Sequence, residues 1–384
     1  MLQRRSKLKI LLIITVILII TSTFLTCCSS SRFIDSEKNY KSDHFDGEKF
    51  FNQEKREHSE NDQTRKKRSS WKMFGYWTSG WLFGFDDWPE WPYFTEDSLS
   101  LKIQNNNPKP VENAGSGEII ITPVGHSTFL IQLSNINILI DPQWSDRASP
   151  VSFKGPVRHH LPGINFDDLP KIDVVLVSHN HYDHLDMSTL EDLTDRGSEL
   201  AVTGLGNAEM IMDTGFKIVH EFDWWEKIKI SDEVDIYVVP SQHFSSRSLW
   251  DRNETLWCGF VISYNGEYIY FSGDTGYGKY FKQIKDKFSP IRAAILPISP
   301  YRNNDDTFRT GSIHMNPFEI TAAHLDLDPE FSIACHYNVF QLGPLSYGQA
   351  ASDLQKKLLK RDIPKDKFLF PELGVPIILK KNNF

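Results

Sequence analysis

The chain has 384 residues, with 42 lysines and arginines against 50 aspartates and glutamates and a formal net charge of −8. That acidic balance argues against nucleic acid as a partner, because holding a phosphate backbone normally demands a basic surface excess. Two of the four cysteines lie near the N-terminus. Cys258 and Cys335 could pair in an oxidising compartment, but they sit in apolar strand-like runs that better suit buried free thiols.

Arg4, Arg5, Lys7 and Lys9 precede an uncharged run over 10–25, whose length falls between a signal-peptide core and a short membrane span. Leu25-Thr26-Cys27 resembles a bacterial lipobox, with Thr26 where a smaller residue is usual. Residues 1–28 are therefore expected to be a signal peptide or a membrane anchor. Either reading places the body on a membrane outside the cytoplasm, as an envelope lipoprotein or behind an uncleaved signal anchor. Residues 29–70 are almost all polar and cannot bury enough surface to offset their ordering entropy, so they are expected to form a disordered tether. Its basic cluster, Arg65 to Arg68, reads as a solvated charge run more readily than as a headgroup contact. Residues 71–116 form an aromatic-rich extension holding half of the chain's ten tryptophans. Two readings of it stay open, a membrane contact and a wrap that fills a groove on the body.

Residues 117–384 are long enough for one large core. Strands are expected at 118–123, 128–133, 136–140, 174–177, 234–240, 256–263, 268–271, 293–296 and 331–335, with turns at Asn135 and at Asn265-Gly266. Helices are expected at 188–195, 276–288, 317–325 and 347–360. Early hairpins followed by interleaved strands and helices fit an α/β fold, two sheets packed face to face with helices outside in an αβ/βα sandwich.

The most informative stretch follows the apolar run at 174–177. Ser178-His179-Asn180-His181-Tyr182-Asp183-His184 packs three imidazoles and a carboxylate into six positions. Neutral imidazole and carboxylate suit zinc, with iron or manganese as substitutes. The order His-x-His-x-Asp-His resembles the signature of the metallo-β-lactamase superfamily. Three later strand candidates also end in a metal-capable residue: His243 after 234–240, Asp274 after 268–271 and His336 after 331–335. Gly273 and Gly276 flank Asp274 and permit close approach. We assign His179, His181 and His243 to one ion, Asp183, His184 and His336 to a second, and Asp274 as the bridge. His126, Asp141 and Asp186 could orient those imidazoles or nearby loops, or serve as ordinary turn and capping residues.

Further segments narrow the resemblance. Val124-Gly125-His126-Ser127-Thr128, Arg147-Ala148-Ser149-Pro150, Asp223-Trp224-Trp225-Glu226, Pro240-Ser241-Gln242-His243 and Gly273-Asp274-Thr275-Gly276-Tyr277 resemble the N-acylphosphatidylethanolamine-hydrolysing phospholipase D family. The similarity runs from about Gly117 to the C-terminus. It implies the four-layer metallo-β-lactamase fold and a phosphodiesterase with two zinc ions that releases N-acylethanolamine and phosphatidate. It also implies a phospholipid substrate met at a membrane surface. Asp183 and Asp274 are the expected catalytic carboxylates, and His314, in a His-x-x-Pro-x-Glu segment, is carried over as an active-site residue outside the metal shell. Two ions about 3.5–4 Å apart would bring a shared water toward neutral pKa and supply the nucleophile. The chain departs from the family at Asn338, where Gly is usual, and in 300–313, which has little aromatic content. A lactonase or amidase on the same fold would keep all seven residues, whereas a non-catalytic metal-binding envelope protein would be expected to have lost some.

Overall fold

The computed structural model describes residues 40–54, 88–92, 109–248, 250–302 and 304–380. The expected leader and most of the expected tether and aromatic extension lie outside the described residues. Among the described residues, fourteen strands form two seven-stranded mixed sheets. In the first, β1 (Ile119–Gly125), β2 (Thr128–Leu133) and β3 (Ile136–Ile140) run antiparallel in sequence order. Next to β3, β4 (Val174–Val177), β5 (Leu200–Gly204) and β6 (Ile218–Phe222) continue in parallel, and β14 (Ile377–Leu379) closes the β1 edge. The second sheet repeats this plan. β7 (Lys227–Lys229), β8 (Val234–Val239), β9 (Gly259–Tyr264) and β10 (Glu267–Phe271) are antiparallel, while β11 (Ile291–Pro297), β12 (Phe331–Cys335) and β13 (Phe368–Leu369) are parallel.

Alternation along the strands builds the layers. Ile119, Ile121, Ile131 and Ile138 of the first sheet and Ile236, Phe260, Ile262 and Ile295 of the second fill the space between the sheets. The opposite faces also carry apolar residues, and helices cover them. α1 (Met187–Asp195) and α2 (Ala208–Met212) put Leu190, Leu193 and Ile211 against Val175 and Val177. α3 (Tyr280–Lys287), α4 (Pro317–Leu327) and α5 (Gln349–Lys360) put Phe281, Ile320 and Leu354 against Val261 and Ala294. The result is the expected αβ/βα four-layer sandwich. No helix among the described residues is long and apolar enough to cross a membrane.

All nine expected strands and all four expected helices are present, with ends shifted by a few residues. The unexpected elements are mostly short or at sheet edges: β6 is a half-buried edge strand, β7, β13 and β14 have three, two and three residues and α2 has five, while β5 is a buried inner strand. Asn265 and Gly266 take φ of 52° and 83°, which supports the hairpin turn expected there.

The tether reading needs correction for residues 40–54, which are packed onto the body. Phe50 is 1 % exposed and lies in the inter-sheet core, and its N–H donates to Asn253 O at 2.8 Å. His44 stacks on Trp224 at 3.8 Å. Burying one phenylalanine contributes about 1.5–3 kcal/mol, one of several contacts, with the His44 stack and the hydrogen bonds of Asn52 and Glu54, that together hold the segment on the body. At the far side, Trp91 is buried and donates to Leu345 O at 2.8 Å, while Gln341 Nε2 donates to Pro89 O at 2.7 Å. Within the aromatic extension, Pro89 and Trp91 thus contact the body.

Candidate metal centre

Parallel and antiparallel ladders bring the C-terminal tips of β4, β8, β10 and β12 to one edge of the sandwich, and the seven expected ligand residues meet there. The nitrogens of His179, His181 and His243 all lie within 4.8 Å of one another. His179 Nε2 is 2.9 Å from His181 Nδ1, and His243 Nε2 is 3.2 Å from the same atom. Asp183, His184 and His336 form a second group with the same 4.8 Å limit, and it includes His126. Asp183 Oδ2 is the hub, at 2.9 Å from His126 Nε2, 3.2 Å from His336 Nε2 and 3.4 Å from His184 Nε2. Asp274 lies between the two groups. Its Oδ2 is 3.0 Å from His336 Nε2 and 3.6 Å from His243 Nε2, and its Oδ1 is 3.4 Å from His184 Nε2.

The chain aims these atoms through their other ends. His184 Nδ1 is 2.7 Å from Asp141 Oδ2, which leaves Nε2 for the cluster, and Asp141 also accepts from Ser178 N and Ser178 Oγ at 2.7 Å. His243 Nδ1 is 3.0 Å from Ile313 O, so its Nε2 likewise faces inward. His336 has a φ of 59°, and its N–H donates to His126 O at 2.8 Å, pinning the tip of β12 to the β1–β2 turn. Gly273 has a φ of 60°, and a Cβ there would come within 2.5 Å of Cys258 O, while one on Gly276 would overlap Ser312 O. Glycine on both sides of Asp274 is a requirement of packing.

The electrostatics divide along the same line. Burial pushes the imidazoles of the first group down, His181 to about 4 and His243 to about 3, so they are neutral and able to bind a cation. In the second group burial again opposes charge, but Asp274 and Asp183 outweigh it and raise His336 to about 9. His184 is raised well above its ordinary range, against burial, by Asp274, Asp183 and Asp141. Both carboxylates, Asp183 and Asp274, are held well below theirs: burial works the other way, and the neighbouring imidazoles prevail.

A cation fits this arrangement on a direct observation. His184 Nε2 and Asp274 Oδ1 are buried, face each other at 3.4 Å, and find no hydrogen-bond partner among the described residues. Buried polar atoms left in that state are costly unless something binds between them. The His/Asp cluster is therefore able to bind metal.

The remaining expected residues separate by role. His314 sits beside the cluster rather than apart from it: its ring is 5.0 Å from that of His243, and it groups with His243 and Asp274. The His-x-x-Pro-x-Glu segment starts α4, where Asn316 and Glu319 form a reciprocal capping box and Glu319 also pairs with Arg309 at 3.1 Å. Asp186 touches no imidazole of the cluster. It accepts from Ser145 N and Ser145 Oγ at 2.9 Å and from Thr189 Oγ1 at 2.6 Å, holding the loop after β3. Cys258 and Cys335 are buried and free, and burial pushes both thiols up. Sequence reasoning missed Arg247, whose Nη1 donates to Asn180 O and Leu185 O at 2.8 Å while its guanidinium lies 3.9 Å over the Tyr182 ring. No local pattern marks it, since its partners are backbone carbonyls more than sixty residues away.

Residues 136–337 match the family described as the beta-lactamase superfamily domain. The chain belongs to the metallo-β-lactamase superfamily. An uncharacterised protein of Mycobacterium tuberculosis (strain H37Rv) is 36% identical over 244 residues, 62% of this chain and 64% of that protein. The match thus spans slightly less than two thirds of that relative's length. The N-acyl-phosphatidylethanolamine-hydrolyzing phospholipase D 1 of Caenorhabditis elegans is 31% identical over 268 residues, 67% of this chain and 74% of that one. An isothiocyanate hydrolase from Delia radicum gut bacteria superposes with a TM-score of 0.52 at 23% identity, covering 68% of this chain and 99% of that one. At that identity the likeness speaks for the fold alone.

Proposed function

We propose that the protein is a metal-dependent hydrolase acting as a phosphodiesterase of phospholipase D type. On this reading two zinc ions, replaceable by iron or manganese, bind the cluster. Lipids like N-acylphosphatidylethanolamine are cleaved to N-acylethanolamine and phosphatidate. The observation that carries it is the placement of Asp274 between two groups of metal-capable side chains. Bound there, divalent ions supply Lewis acidity and a nucleophile at neutral pH. His179, His181 and His243 would hold one ion, Asp183, His184 and His336 the other, with Asp274 shared between them. Asp141 fixes the tautomer of His184, and His126 donates to Asp183 to keep its carboxylate turned inward. His314, half-buried beside His243, would hydrogen-bond a substrate oxygen. No serine or cysteine nucleophile is needed, and both buried thiols are protonated.

The lipid assignment draws support from the Caenorhabditis elegans relative and from a cavity of about 310 Å³ beside His126, walled in part by Phe129, Tyr337, Val339 and Leu373. Membrane attachment through residues 1–28, a tether over the stretch between that anchor and residue 40, and an extracytoplasmic body complete the proposal. Hydrolysis in heavy-oxygen water tests it. Attack at phosphorus labels phosphatidate and leaves N-acylethanolamine unlabelled. Labelled free fatty acid with the phosphodiester intact would overturn the phosphodiesterase reading in favour of an amidase.

A further inference from the structure

His243 comes from the second sheet, whereas its two companions come from the 178–184 loop of the first. Something must hold it across the gap between the sheets. Beyond the last residue of β8 the ladder has ended, and the backbone of His243 is met by a side chain from the N-terminal segment. Asn52 Nδ2 donates to His243 O at 2.8 Å, and His243 N–H donates to Asn52 Oδ1 at 3.1 Å. That carboxamide thus pairs with both polar groups of the peptide, as a neighbouring strand would. Trp257 Nε1 donates to the same Oδ1 at 3.0 Å. The contacts continue along the segment. Gln242 Nε2 donates to Glu54 O and Lys279 N–H to Glu54 Oε1, both at 2.9 Å, so residues 52–54 tie together the loops that follow β8 and Asp274. The segment is anchored independently of the cluster, by Phe50 in the core and by His44, which stacks on Trp224 and lies 2.9 Å from Asp223.

We propose that Asn52 is a positioning residue of the metal centre: through paired hydrogen bonds to the His243 backbone it sets where that imidazole meets His179 and His181. The N-terminal strap is then part of the metal site, and the stretch leading from the expected membrane anchor is coupled to metal occupancy. This rests on the reading of His243 as a metal ligand.

The test uses the full chain loaded with zinc or cobalt and titrated with a chromophoric chelator. Asn52→Ala removes both hydrogen bonds, while Asn52→Asp keeps the acceptor and loses the donor. Loss of a group that orients a ligand typically weakens metal binding by about 10–100-fold. We expect Asn52→Ala to give up one of two metal equivalents at about tenfold lower chelator, with the cobalt spectrum changing at the all-imidazole site first. Asn52→Asp should fall in between, and it carries the test if Asn52→Ala does not fold. Affinities within about twofold of the native protein for both equivalents would overturn the proposal, as would equal weakening of both together with a lowered melting temperature. A native chain that binds fewer than two ions would instead overturn the metal reading beneath it.

Discussion

His179, His181 and His243 meet through nitrogens 2.9 and 3.2 Å apart, whereas Asp183 gathers His126, His184 and His336 around one carboxylate oxygen. The two groups share one edge of one fold and lie on either side of Asp274, yet they solve burial differently. In the first, burial keeps the imidazoles neutral and their nitrogens converge within 4.8 Å of one another. In the second, Asp183 and Asp274 favour the protonated imidazoles of His184 and His336 against burial, the same pull that would favour a cation bound in place of those protons. The first is therefore the half whose geometry depends on outside supports such as Asn52. The second is braced from within, by Asp141 behind His184 and His126 behind Asp183.

The largest effect is expected where both halves are struck together. Asp274→Ala should release both metal equivalents and reduce hydrolysis to background with the melting temperature of the metal-free protein little changed. His181→Ala, by contrast, should release one. Retention of two equivalents by Asp274→Ala would break the shared-ligand picture. A smaller, one-sided effect should follow from Asp141→Ala, which removes the partner that fixes the His184 tautomer. Metal binding to the second group should weaken by about 10–100-fold while the first group stays within a few-fold. Stepwise chelator titration separates the two.

The smallest effect on function is expected outside both groups. His324 on α4 is buried with its Nδ1 2.8 Å from Ser332 Oγ, and burial lowers it from an ordinary 6.5 to about 4. A histidine held neutral in the fold contributes stability that is present above pH 6.5 and lost as pH falls toward 4, on the order of 3 kcal/mol. His324→Asn should therefore leave activity at neutral pH unchanged and flatten the acid limb of the melting curve between pH 6.5 and 4. An unchanged acid limb would show that the loss of stability arises elsewhere.

The two regions were also unequally legible in the sequence. The seven cluster residues could be found because each follows an apolar strand, and strands of one sandwich deliver their tips to a common edge. Asn338 stands where the resembled family usually has Gly, and its φ of 59° is a left-handed conformation that Asn tolerates. The supports were harder to read. His126 and Asp141 are single polar residues whose turn and capping alternatives could not be separated until their partners, Asp183 and His184, were brought beside them by pairing across dozens of residues. The strap at 40–54 was misread as tether because composition reports only what a segment can bury by itself. Phe50 finds its place in a core made by strands far along the chain. β6 and β13 escaped notice because a half-buried edge and a two-residue strand leave no periodic signal.

The central claim, that these two groups form one binuclear hydrolytic centre, is tested most directly by elemental analysis of a purified, fully active preparation, titrated with chelator while hydrolysis is followed. The account predicts two metal ions per chain, loss of activity as they are withdrawn, and recovery on adding zinc. Full activity with fewer than one ion per chain would contradict it.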